Sequence, residues 1–143
     1  MIEPAVIFPD VELWLTGHVR SELDARPEAV CADVVVDVKE PEPTGAWPSK
    51  LVVIRFDGST QTSILTDEAS IGVTVFAGTK SLPQDANDLA RIVRAIVASS
   101  AGVEPGNPIA AVNSTTGPIA VPEDAPRARR YFTAELVIHG QAF

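Results

Sequence analysis

Residues 67–97 read DEASIGVTVFAGTKSLPQDANDLARIVRAIV, and this stretch predicts the packing unit around which the rest of the chain folds. The first half alternates as a strand does, with one face carrying Ile71, Val73, Val75 and Ala77 and the other carrying Ser70, Gly72, Thr74 and Phe76. The second half repeats apolar residues at helical spacing: Ala86, Leu89, Ala90, Val93, Ile96 and Val97. Its polar residues fall outside that arc and are expected to face solvent: Asp85, Asp88, Arg91 and Arg94. We therefore predict that the helix covers one face of the strand.

The remaining elements extend this unit into a sheet. A first helix is predicted to begin after Asp10, whose side chain would cap its amide groups, and to end before Pro27. Asp57-Gly58 favours a tight hairpin turn between two strands. The strands are predicted at 32–39, 51–56, 60–65, 67–77, 109–113, 118–121 and 129–140. Because hairpins dominate, the sequence predicts one domain of residues 1–143 with an α+β fold, a largely antiparallel sheet and two helices packed on one face.

The second face of that sheet is the first functional clue. Alternation places four apolar residues on it: Val35, Val53, Phe76 and Val137. Two helices on one side cannot cover them, and an open sheet face with mixed apolar and polar residues often packs against another subunit. We therefore expect part of this face to be an interface.

Charge and cysteine content narrow the class of protein. The chain has 11 basic and 19 acidic residues, a net charge of −8, whereas proteins that neutralise nucleic-acid phosphates are normally basic. The one short basic cluster, Arg127, Arg129 and Arg130, is too short to reverse this sign, so tight nucleic-acid binding is disfavoured.

The single cysteine, Cys31, cannot form an intrachain disulfide, which is typical of a reducing cytoplasm. No apolar run reaches the roughly 18 residues that would cross a bilayer.

Catalytic and metal-binding motifs are not evident in the sequence. His18 and Glu22 lie one helical turn apart, but two ligands are too few for a metal site. Gly78–Ser81 partly matches a phosphate-binding loop yet lacks its earlier glycine, so an ordinary strand-to-helix turn is the favoured interpretation. The sequence predicts no enzyme activity, no catalytic residues, no cofactor and no metal.

The loop from Glu40 to Lys50, EPEPTGAWPSK, holds an isolated tryptophan. Trp47 either anchors a mobile arm to a neighbouring subunit or packs back on its own sheet. With the clues above, the candidate interface residues are Trp47, Val35, Phe76, Arg127, Arg129 and Arg130.

Three segments carry a resemblance to a known family. They are VELWLTGHVRSEL (11–23), TDEASIGVTVFAGT followed by ANDLARIVRAIV (66–79 and 86–97), and GPIAVPEDAPRARRYFTAELVIHG (117–140). In the order of these segments and in their residue patterns, the chain resembles, over most of its length, the tail terminator proteins of long-tailed bacteriophages, particularly those infecting actinobacteria. Other small neck proteins, such as head-completion proteins and connector adaptors, look broadly alike.

The resemblance implies a structural virion protein. Tail terminators form a ring, typically of six subunits, that caps the tail tube and presents a surface to the head. The implied partners are further copies of the chain, the major tail tube protein and the head-to-tail connector protein, with DNA only passing through the lumen. The implied location is the neck or tail of the virion after synthesis in the host cytoplasm, with no membrane contact. The alternative is a small-ligand-binding or regulatory α+β module that uses a cleft near Gly78–Pro83.

Overall fold

The structure, a computed structural model, describes residues 2–143. Its helices are α1 (Val11–Asp24) and α2 (Gln84–Ala98), with one 3-10 turn at Ala29–Cys31. Its strands are β1 (Val6–Ile7), β2 (Val35–Asp37), β3 (Lys50–Gln61), β4 (Thr66–Thr79), β5 (Ile109–Ala120), β6 (Arg127–His139) and β7 (Gln141–Ala142).

Five of the strands form the main sheet, in the order β2-β3-β4-β6-β5. β2 and β3 run parallel, and the other neighbours in this sheet are antiparallel. β1 and β7 make a separate antiparallel pair. The predicted fold class is confirmed: this is an α+β fold whose largely antiparallel sheet has its helices packed against it.

The core lies between the sheet and the two helices. On β4 the predicted face is buried, since Ile71, Val73 and Val75 are 0% exposed. The apolar stripe of α2 packs there as predicted, and Val93 is 0% exposed. α1 begins where Asp10 accepts a hydrogen bond from the Leu13 amide at 3.0 Å. This contact satisfies one of the amide groups that a helix leaves without an internal partner.

The hairpin predicted at Asp57-Gly58 is wrong. β3 runs unbroken to Gln61, and Asp57 is an extra residue in its pairing with β4, which passes from Phe56–Ile71 to Gly58–Ser70. Gly58 has a φ of +121°, which suits a β-bulge. The real turn follows at residues 62–65, where the Thr62 amide donates to the Thr66 carbonyl at 3.0 Å.

The two short strands predicted at 109–113 and 118–121 are one strand, β5. Its partner β6 is long enough to pair along its whole length, and the register shifts at three places, the last of them between Thr116 and Ile119. Gly117, with a φ of +110°, absorbs the shift. The strand predicted at 32–39 is shorter than expected, because Asp33 has a φ of +57° and regular pairing begins only at Val35.

The solvent side of α2 is also corrected at one residue. Asp85 and Arg91 are exposed as predicted. Arg94 instead reaches over β5, where its Nε donates to Thr115 Oγ1 at 2.9 Å and its Nη1 donates to the Gly117 carbonyl. The helix thus uses a cation at its flank to hold the edge strand of the sheet.

Candidate functional site

The sheet has one face under the helices and a second face, here called the open face. Cross-strand pairs place their side chains on the same side of a sheet. The register therefore assigns these residues to the open face: Val35, Leu51, Val53, Arg55, Gly72, Thr74, Phe76, Ile119, Arg129, Tyr131, Thr133, Glu135 and Val137. The four apolar residues that alternation placed there are confirmed on this face.

One end of the open face is covered by the loop that follows β2. Trp47 lies edge-on to Phe76 with 5.2 Å between ring centroids, and it packs over a small apolar cluster with Leu51 and Val53. Its indole Nε1 donates to the Glu42 carbonyl at 3.1 Å. In this structure Trp47 therefore packs on its own sheet, the second of the two predicted alternatives. Phe76 is 2% exposed, so it supports Trp47 and offers no contact surface of its own in this conformation.

The three clustered arginines do not share one face. The guanidinium of Arg127 lies 3.7 Å above the Trp47 ring, and that of Arg129 lies 5.4 Å from the Phe76 ring. Arg130 points to the helix side, where its Nε donates to Asn87 Oδ1 at 2.7 Å. Alternation along β6 explains the split, because residues 129 and 130 must face opposite ways.

The middle of the open face holds a polar network. Arg55 Nε donates to Asp57 Oδ1 at 2.7 Å, and Arg55 Nη2 lies 3.5 Å from Tyr131 Oη. The hydrogen bond to Asp57 raises the pKa of Arg55 above its ordinary value. Gly72 lies beneath these groups: a Cβ there would be 2.7 Å from Tyr131 Oη and 2.8 Å from Asp57 Oδ2. The missing side chain lets the network lie flat on the sheet.

The sequence did not indicate this network, because its members come from three strands. Alternation does place Arg55, Gly72 and Tyr131 on the same face, but only the register shows that they meet. A second polar contact lies further along the face, where Ser70 Oγ donates to Glu135 Oε2 at 2.7 Å. Arg55, Asp57, Ser70 and Glu135 on the open face thus already have partners within the chain.

Exposed apolar side chains flank the network. Ile119 on β5 is 60% exposed, and Val35 on β2 is 44% exposed. β5 is an edge strand of 12 residues that, within residues 2–143, pairs only with β6. An edge strand presents backbone groups that another chain can bind.

A groove of about 470 Å³ lies beside the covered end of the open face, between the start of β6, the end of β5 and the loop before α2. We call it the basic groove, because its lining includes Lys80, Arg127, Arg129 and Arg130. Two of the amides that would wrap a phosphate at Gly78–Ser81 are already used: the Thr79 amide donates to the Leu82 carbonyl at 3.4 Å, and the Lys80 amide to the Pro126 carbonyl at 2.8 Å. This stretch is a strand-to-helix turn, the favoured interpretation.

His18 stacks on Trp14, with ring centroids 4.8 Å apart, so packing accounts for its position. Within residues 2–143 no three His, Cys, Asp or Glu side chains are grouped so as to hold a metal ion. Neither α1 nor α2 is long and apolar enough to cross a membrane, and no other helix in the described part of the chain is. Cys31 is buried, and burial raises the pKa of its thiol.

No protein-family model matches the chain, and no curated protein matches it. A function is therefore inferred from the open face, the edge strand and the basic groove, together with the resemblance to tail terminators.

Proposed function

We propose that this protein is a structural component of a phage virion, a ring-forming tail terminator that caps the tail tube and joins it to the head connector. The observation that carries the proposal is the open face of the sheet. Its centre is a flat, internally paired polar network, and exposed Ile119 and Val35 flank it.

Such a face is suited to burial by another protein. Covering a polar group is costly only when the group loses its hydrogen bonds to water without replacement. Arg55, Asp57, Ser70 and Glu135 already have partners within the chain, so covering them leaves few groups unsatisfied. Ile119 and Val35 would add apolar contact area to the same interface.

Ring closure sets a further requirement. A cyclic ring forms when one surface of a subunit meets a different surface of the next, with a rotation that closes. The open face and the edge of β5 supply two such distinct surfaces on one subunit. The ring, typically of six subunits as the resemblance implies, would bind the major tail tube protein on one side and the connector protein on the other.

The acidic composition agrees with this role. A net charge of −8 disfavours retention of DNA that must pass through a lumen, because like charges repel. The charge thus agrees with the absence of sequence-specific DNA binding from the proposal. As proposed, the protein also has no catalytic activity and no membrane contact, and it lies in the neck of the virion.

The test is assembly of the full chain. Sedimentation velocity and negative-stain electron microscopy should show rings, either alone at high concentration or on the ends of purified tail tubes. Ile119→Glu, which places a charge on the open face, should abolish the rings while changing the melting temperature little. Leu13→Glu is the matched control, since Leu13 is 69% exposed on α1 and lies away from the open face.

A protein that stays monomeric at all concentrations and leaves tail tubes uncapped would contradict the proposal. Equal loss of rings in both variants would show that the open face is not the interface.

The alternative function, a small-ligand-binding or regulatory module, has one observation in its favour. The basic groove lies at the predicted cleft near Gly78–Pro83 and is lined by Lys80 and Pro83. A ligand module would be stabilised against heat by its ligand, with a melting temperature that rises with the logarithm of ligand concentration above the dissociation constant. A monomer with such stabilisation would favour this alternative over the ring.

A further inference from the structure

We propose that the basic groove binds an acidic segment of a partner protein, with Lys80, Arg127 and Arg129 holding its carboxylates. The groove lies beside the loop-covered end of the sheet, where β5 ends and β6 begins. The inference rests on the proposed function in one respect only: the partner would be a neighbouring protein of the phage neck.

The groove concentrates positive charge in an acidic chain. Of the 11 basic residues, four line this one groove, and the one carboxylate in its lining is Glu123. Two of the cations are held in place: Arg127 lies over the Trp47 ring, and Arg130 is bonded to Asn87. Cations that are already positioned lose less side-chain entropy when they bind an anion.

Arg129 shows which anion suits the groove. Its guanidinium lies 3.6 Å from Glu40 Oε1 and 3.9 Å from Glu123 Oε2, both beyond hydrogen-bonding distance. Its Nε is buried and has no hydrogen-bond partner within residues 2–143. The chain's own carboxylates thus approach this arginine without completing its bonds. The Nε is out of reach of an outside ligand, but the side chain is 28% exposed, and a carboxylate from another chain would bond its Nη groups at hydrogen-bonding distance.

Two features favour carboxylates over the phosphates of a nucleic acid. The amides of Thr79 and Lys80, which would wrap a phosphate, already donate hydrogen bonds to carbonyls of the chain itself. The net charge of −8 repels a long polyanion well before it reaches the groove. A short peptide with a few carboxylates meets far less repulsion, and a volume of about 470 Å³ is within the usual range of ligand sites.

The test uses hexaglutamate as the probe and Trp47 as the reporter. The chain has two tryptophans, so Trp14→Phe leaves Trp47 as the only one. Because Arg127 lies over the Trp47 ring, binding in the groove should change Trp47 fluorescence. We expect saturable binding of hexaglutamate that weakens as salt is raised.

Lys80→Glu tests the groove itself, since Lys80 is exposed and its replacement leaves the core intact. We expect it to weaken hexaglutamate binding by about tenfold or more, the effect of reversing one charge in contact with the ligand. Arg26→Glu is the matched control, because it changes the net charge equally at an exposed site after α1. It should leave the affinity within about twofold, the change expected from a distant, screened charge.

Three outcomes would overturn the inference: no saturable binding, equal loss in both variants, or tighter binding of inorganic phosphate or an oligothymidine than of hexaglutamate. Ring formation is measured on the same samples. Rings without hexaglutamate binding would refute the groove and leave the proposed function standing. Hexaglutamate binding without rings would support the groove and contradict the proposed function.

Discussion

The two faces of the main sheet are built from the same strands but by opposite rules. Under the helices, the β4 residues Ile71 and Val73 are 0% exposed and belong to the main apolar cluster. Between them Gly72 points to the open face and carries the Arg55–Asp57–Tyr131 network. One face excludes water with apolar side chains, whereas the part of the other that the Trp47 loop leaves uncovered pairs polar side chains and remains in contact with solvent.

This difference separates stability from assembly. Substitutions on the helix-covered face should act on the free energy of unfolding, since buried apolar packing dominates it. Substitutions on the open face should act mainly on association. The following predictions test that division, from the largest expected effect to the smallest.

The largest effect is expected for Val93→Asp on α2. Val93 is 0% exposed, so the change buries a carboxylate without a partner and should lower the free energy of unfolding by about 4 kcal/mol or more. Arg91→Asp, on the exposed side of the same helix, should lower it by less than about 1 kcal/mol. Arg94 is unsuitable as a control because it bonds Thr115 and Gly117. Urea unfolding measures both values, and similar losses would refute the assigned faces of α2.

Glycine replacement compares a site against the β6 backbone with a site beneath the side chains of the open face. At Gly117, with φ of +110°, a Cβ would lie 2.9 Å from both Phe132 Cβ and the Tyr131 carbonyl. Gly117→Ala should therefore cost about 3 kcal/mol, because the backbone cannot move aside and the φ is strained.

At Gly72 the same substitution meets only the ends of side chains on the open face. Those ends can shift, so Gly72→Ala should change the free energy of unfolding by less than about 1 kcal/mol. A larger loss for Gly72→Ala than for Gly117→Ala would show that the side chains of the open-face network cannot shift.

The Trp47 loop is the one part of the open face that should behave like core. Trp47→Ala removes the ring from Phe76 and from beneath Arg127, and should cost about 2 kcal/mol, less than for a fully buried tryptophan. Trypsin gives a second measurement. Lys50 is held in β3, and its Nζ donates to the Ala32 carbonyl at 2.9 Å. Cleavage should therefore begin at exposed Lys39, and faster in Trp47→Ala. Unchanged cleavage would mean that Trp47 does not hold the loop.

The sequence predicts the helix-covered face well and the open face poorly. The core needs only periodicity, which is local, and the residues of β4 and α2 lie where alternation and helical spacing place them. The turn wrongly predicted at Gly58 and the break wrongly predicted between 113 and 118, where Gly117 lies, have another origin. Both glycines favour turns locally, but long partner strands continue the pairing past them and convert them into irregularities.

The open-face network depends on register, which a single sequence does not contain. Arg55 and Tyr131 are 76 residues apart in the chain, and they meet only because β3 and β6 both flank β4. Whether Trp47 packs on its own sheet or on a neighbouring subunit likewise depends on where its loop folds back. A lone tryptophan in a loop indicates a contact in the sequence, but only the structure shows that the contact is with Phe76.

The smallest effect on the free subunit, and the sharpest test of the comparison, is expected for Asp57→Asn. The side chains of Arg55 and Asp57 are 52% and 32% exposed, so in the free subunit their pair is largely screened by water. An exposed ion pair contributes at most about 1 kcal/mol, and urea unfolding should show no greater loss. If assembly covers the open face, the same substitution leaves Arg55 buried without its charge partner. The ring should then be weakened by a further 3 kcal/mol or so, measured by sedimentation as about a hundredfold rise in the dissociation constant.

Arg26→Gln, which breaks the exposed pair with Glu28 on the helix side, should leave both values unchanged and serves as the control. Equal effects of Asp57→Asn on the free and the assembled protein would mean that the open face stays in solvent.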